Sequence, residues 1–159
     1  MSSSRRKGPA VTGTDLGMSM TTNRARAGAA LSVLTAAGAG SAGIHAGLAP
    51  EHVHEWAPLG AAFIAAAAAA SAGVVALALR PASPWPPRLL GALLGSLVLA
   101  YALTRLAALP PLDPDKESVD ALGVCTSALE VAGVVIAIRL GRRGSGRGRS
   151  PAVTTGGRA

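Results

Sequence analysis

Glu130 stands in the middle of an apolar run, LGVCTSALEVAGVVIAIRL, where a carboxylate has no ordinary surface role. It lies about ten residues from either end of a stretch at 119–140 that is long enough to cross a bilayer, hence near the midplane. An ionised carboxylate at that depth costs several kcal/mol, so it must be protonated, paired or wetted. Two roles follow: a proton- or cation-carrying group, or a neutral hydrogen-bonding group that holds two helices together. A second concentration of chemistry is the run GIHAGLAPEHVHEW, which holds all three histidines, His45, His52 and His54, together with Glu51 and Glu55. A helical turn over 51–57 would set His52 and Glu55 on one face at i,i+3 and turn His54 away. His45, His52 and Glu55 are therefore the candidate ligands of a divalent metal, since zinc, copper and iron accept imidazole and carboxylate donors. The competing role is polar capping of a helix end at headgroup depth, and histidines that charge below about pH 6.5 would also serve an external pH sensor. Arg105 is the remaining intramembrane charge, with Tyr101 one turn below it on the same face. It sits about 10–12 Å further toward the outside than Glu130, so snorkelling to the headgroups is expected ahead of a strained pair between the two.

The elements that must position these groups are apolar and nearly free of charge. Half of the 159 residues are apolar and 14% are charged, against about a quarter charged in soluble domains. Only Trp56, Phe63, Trp85 and Tyr101 are aromatic. A soluble enzyme core would use more large rings and more surface charge, and a disordered chain would not gather its apolar residues into blocks. The blocks fall at 27–48, 58–79, 89–109 and 119–140, each of about 20 residues, the length that spans the hydrocarbon of a bilayer. Helices are expected, because lipid offers no partner for unpaired backbone groups and a helix satisfies its own. The fold class is thus all-α, an up-down bundle of four transmembrane helices. A soluble Ala-rich bundle is the alternative, but the first two stretches lack the charged stripe that a surface helix needs. Residues 1–26 and 141–159 are polar or Gly/Arg-rich and read as disordered tails.

Charge placement supports the membrane reading independently. Arg5, Arg6, Lys7, Arg24 and Arg26 precede the first stretch, Arg80 and Arg88 flank the second connector, and Arg139, Arg142, Arg143, Arg147, Arg149 and Arg158 lie on the C-terminal side of the last. The first connector has no Lys or Arg, and the third has Lys116 alone among Asp113, Asp115, Glu117 and Asp120. Under the positive-inside rule this alternation puts both termini in the cytoplasm and the chain in the inner or plasma membrane. A net charge of +7 does not imply nucleic-acid binding, because the arginines occupy tails and helix ends without an aromatic platform; anionic lipid is the expected contact. A signal peptide cut near Ala46 or Ala49 is the lesser reading of the first stretch, whose apolar run is long for that purpose. Met18 and Met20 are alternative starts to Met1.

Close packing between helices in lipid relies on small residues, and Gly43/Gly47, Ala69/Gly73, Gly91/Gly95 and Gly123/Ser127 offer small-xxx-small pairs. Pro50 and Pro58 suit first-turn positions, and Asp113-Pro114-Asp115 reads as a helix start near residue 114. Trp56 and Trp85 fall where interfacial rings are favoured. Cys125, the single cysteine, excludes an intrachain disulfide and is expected to pack as a small buried apolar residue.

Around the histidine run the sequence resembles a group of small four-helix membrane proteins of high-GC actinobacteria. The shared positions are His45, Ala49-Pro50-Glu51-His52, Glu55-Trp56, Gly60 and Phe63, with Glu130 in the last helix. The resemblance implies four helices over about residues 27–140 and carries no activity with it. The expected function is that of an integral membrane protein binding a small ligand or divalent metal at its outer face. The alternative is a non-catalytic interaction or scaffold subunit, associating with a membrane-protein partner or with copies of itself. An enzyme is not expected, because there is no Ser/His/Asp set and no phosphate loop.

Overall fold

The computed structural model describes the backbone of residues 13–106 and 120–145, and the side chains of 21–106 and 120–142. Four helices account for them: α1 (Gly13–Glu55), α2 (Ala57–Leu79), α3 (Trp85–Leu106) and α4 (Ala121–Ser145). Each contains a segment long and apolar enough to cross a membrane: Thr21–Glu55, Ala57–Leu79, Trp85–Leu106 and Ala121–Arg142. The chain is a multi-pass integral membrane protein built as an all-α four-helix bundle. Consecutive helices run antiparallel and the fourth closes the ring against the first, with α1 and α3 on the diagonal.

The boundaries differ from the expected ones in instructive ways. Residues 13–26, expected in a disordered tail, are the first turns of α1. Once the apolar span has nucleated a helix, each added residue gains a hydrogen bond without a new nucleation cost, and no proline lies between Pro9 and Pro50 to stop it. Pro50 does not open a turn but sits inside α1, which continues to Glu55. Its ring is exposed, and the turn beyond it is secured by the Trp56 amide, which donates to the His52 carbonyl at 2.9 Å. The expected connector 49–57 thereby shrinks to one extended residue, Trp56 (φ −159°, ψ 111°). Pro58 does occupy the first turn of α2, and α3 opens four residues earlier than expected, on Trp85-Pro86-Pro87. Asp113, Pro114 and Asp115 lie outside the described residues. Among the described residues α4 is capped by Asp120, whose Oδ1 accepts the Gly123 amide at 2.6 Å.

The one-residue turn demands a glycine. A Cβ on Gly60 would stand 2.6 Å from the Val53 Cα and backbone nitrogen, closer than any neighbour can yield. The absence of that atom lets α2 fold straight back along α1.

Packing is uneven along the bundle. Leu34, Ala37, Leu77, Leu90, Leu94 and Ala137 form one buried core, all in the half away from the α1–α2 turn. Glycines set its tightness: a Cβ on Gly38 would meet Val74 at 2.8 Å and Leu90 at 2.9 Å, and Gly91 lies directly against Ala137. Of the small-residue pairs, Gly91/Gly95 lies at the α3–α4 contact, whereas Gly43 and Gly47 have open space beside them. Val33, Ile64, Leu99 and Val131, among other large apolar residues, are turned outward. Such a surface suits lipid, which is as apolar as they are. Cys125 belongs to this outer surface and is not buried as expected.

Candidate functional site

The half of the bundle nearer the α1–α2 turn is hollow. A cavity of about 1180 Å³ opens between the helices there, and His45, His52, Glu55, Arg105 and Glu130 all line it. The sequence singled out His45, His52 and Glu55 as one cluster, and Arg105 and Glu130 apart from it; the fold brings all five to one wall. Large residues pack the other half, whereas here alanines at 62, 66 and 100 line the helices and leave the space unfilled.

Glu130 forms the floor. Its residue is 2% exposed, and Ser41, fully buried on α1, donates its hydroxyl to Oε1 at 2.7 Å. One turn along, the His45 ring turns back to its own helix, with Nδ1 2.9 Å from the Ser41 carbonyl oxygen. A carbonyl only accepts, so Nδ1 carries the proton and Nε2 is left as the acceptor. The Ser41 hydroxyl lies 3.5 Å from the same Nδ1, so Glu130, Ser41 and His45 form a polar column from the floor toward the rim.

Above it, Phe63 of α2 stands between two imidazoles. Its ring centroid is 5.2 Å from that of His45 and 4.2 Å from that of His52. His52 Nδ1 pairs with Glu55 Oε2 at 3.0 Å, as the i,i+3 spacing predicts. The third expected metal ligand does not join them: among the described residues no three His, Cys, Asp or Glu side chains gather as a metal site. The geometric reason is that α1 stays helical through Pro50. His45 and His52 therefore point along a rigid rod, and no loop folds them together.

Arg105 reaches toward the start of α4. Its Nη2 donates to Asp120 Oδ2 at 3.0 Å, and its guanidinium lies 4.5 Å above the Tyr101 ring. Asp120 thus joins α3 to the start of α4 while also capping α4. The Gly123 amide, with the Arg105 guanidinium behind it, holds the Asp120 carboxyl below the usual carboxylate range against the opposing effect of desolvation. Tyr101 packs on Gly123, where a Cβ would meet its hydroxyl oxygen at 2.8 Å. That hydroxyl is buried without a hydrogen-bond partner among the described residues.

Sequence reasoning did not join Ser41 to Glu130, Asp120 to Arg105, or Phe63 to the two histidines. Ser41 sits one turn from His45 in a run otherwise made of Ala and Gly, which was the available signal. The partnership itself depends on how α1 and α4 are rotated. No protein-family model, curated protein or solved structure matches the chain.

Proposed function

We propose that this chain is a non-catalytic membrane protein that binds a small amphipathic ligand in the hollow half of its bundle. The observation that carries the reading is the cavity itself. It is large enough for a drug-sized molecule, and its apolar wall carries a few converging polar groups, Glu130, Arg105 and the His52–Glu55 pair. A buried carboxylate at bilayer depth is costly, and such residues mark substrate and ion pathways. The positive-inside alternation supports a plasma-membrane topology with both termini cytoplasmic, which turns the cavity outward. The resemblance to actinobacterial four-helix proteins includes His45, Glu51, His52, Glu55, Phe63 and Glu130 of this same wall and belongs to the proposal.

The test is thermal unfolding of the purified protein in detergent across a panel of small amphipathic molecules. Saturable stabilisation by at least one, abolished when Ala100→Trp fills the cavity, is the expected result. A flat response across the panel, with Ala100→Trp merely more stable, would favour the scaffold alternative, in which the hollow is a packing gap without an occupant.

A further inference from the structure

The charge on the cavity wall is lopsided. Among the described residues of the wall, Glu51, Glu55, Asp120 and Glu130 face Arg105 alone, a formal balance of −3 with the histidines neutral. Arg105 is also engaged, since Asp120 binds its guanidinium and Tyr101 covers one face. An anion entering the cavity meets a guanidinium already paired and three further carboxylates. A small divalent cation fares no better, because it needs several converging ligands to replace its water, and no three candidate donors gather among the described residues.

One class of ion fits these constraints. Transfer from water costs a large, singly charged organic cation far less than a compact ion, because its charge is spread over a wide radius. Its apolar body would lie against Ile44, Leu48, Leu97 and Leu122, and its charge would face Glu130. Aromatic rings add to the attraction for such cations, and Trp56 and Phe63 stand on the same wall. We infer that the ligand of this cavity is a lipophilic monovalent cation, an amine or quaternary onium with an aryl or alkyl body, held by Glu130 and Phe63. This inference rests on the cavity being a binding site and specifies what that site selects.

The experiment uses the full chain in detergent with Trp85→Phe, which leaves Trp56 as the single tryptophan and as the reporter on the wall. Tetraphenylphosphonium and tetraphenylborate have nearly the same shape and opposite charge. The phosphonium should change Trp56 fluorescence saturably, and the borate should bind about tenfold or more weaker. Glu130→Gln should weaken phosphonium binding by about tenfold or more, with the unfolding midpoint nearly unchanged. Phe63→Leu should weaken it about threefold or more while leaving the volume filled, and it carries the test if the Glu130 variant does not fold. Borate binding as tight as that of the phosphonium would keep the cavity as a site and overturn its preference for cations. So would phosphonium binding indifferent to both substitutions. A non-saturating response to both ions would overturn the binding reading together with the inference.

Discussion

Ser41 and Glu130 meet across the α1–α4 contact, hydroxyl oxygen to carboxyl oxygen 2.7 Å, with both residues withdrawn from the surroundings. The pair closes the ring of helices at the level where the packed half ends and the hollow half begins. Ser41→Ala leaves the buried carboxyl without its donor, and the expected cost is about 1–2 kcal/mol. Glu130→Gln keeps an oxygen that can accept the same proton, so its cost should stay under about 1 kcal/mol. Reversible unfolding in mixed detergent micelles measures both. A larger loss for Glu130→Gln than for Ser41→Ala would show that the charge, and not the hydrogen bond, is what matters there.

The one-residue turn at Trp56 makes a sharp prediction about glycines. Gly60→Ala inserts a methyl group 2.6 Å from Val53 backbone atoms, and overpacking of this kind costs about 1–3 kcal/mol or more. Gly43→Ala has nothing within 4 Å to meet and should raise stability by about 0.5–1 kcal/mol, the ordinary helix preference for alanine. Thermal denaturation in one detergent compares them directly. A destabilising Gly43→Ala would mean that this face of α1 is covered, as it would be in an oligomer.

These two glycines also show what the sequence could and could not disclose. Span number, helix type and the apolar outer face follow from block length and composition, and all are present. The small-xxx-small spacing marks Gly43/Gly47 and Gly91/Gly95 alike, yet the pair in α3 packs and the pair in α1 does not. Helix rotation decides between them, and an Ala/Gly-rich helix of nearly uniform hydropathy carries little information about rotation. The candidate residues were legible because lipid makes polar side chains conspicuous. Their partners were not, since Ser41, Asp120 and Phe63 are unremarkable until α1, α4 and α2 are brought beside them. Pro50 misled in the other direction, because a proline that usually marks a boundary lies inside α1.

The Arg105–Asp120 bridge should be sensitive to acid. Its carboxyl is held below the ordinary value of 3.8 by the Gly123 amide and Arg105, so the folded state binds this proton less readily than the unfolded chain does. A depressed carboxyl contributes its stability above the unfolded value and loses it as pH falls through the folded one. The stability difference between the parent chain and Asp120→Asn should therefore be constant from pH 7 to 5 and shrink below 3.8. A gap that widens on acidification would contradict the assignment. Because Asp120 is half exposed, salt should weaken the bridge as well.

Cys125 tests what surrounds the bundle. The thiol is exposed on the surface of α4, a few residues inside the span that begins at Ala121. In water an exposed cysteine reacts with a maleimide within minutes through its thiolate, whereas hydrocarbon suppresses ionisation and leaves it inert. In intact membranes Cys125 should resist both permeant and impermeant maleimides, and it should label fully once the membrane is dissolved in denaturing detergent. A Leu106→Cys, Cys125→Ser variant moves the thiol to an equally outward position at the last described turn of α3, where headgroups and water are nearer. It should label faster than Cys125. Rapid reaction of Cys125 in untreated membranes would mean that water, not lipid, lies against this face, and the outward leucines, valines and isoleucines would then need a protein partner to cover them.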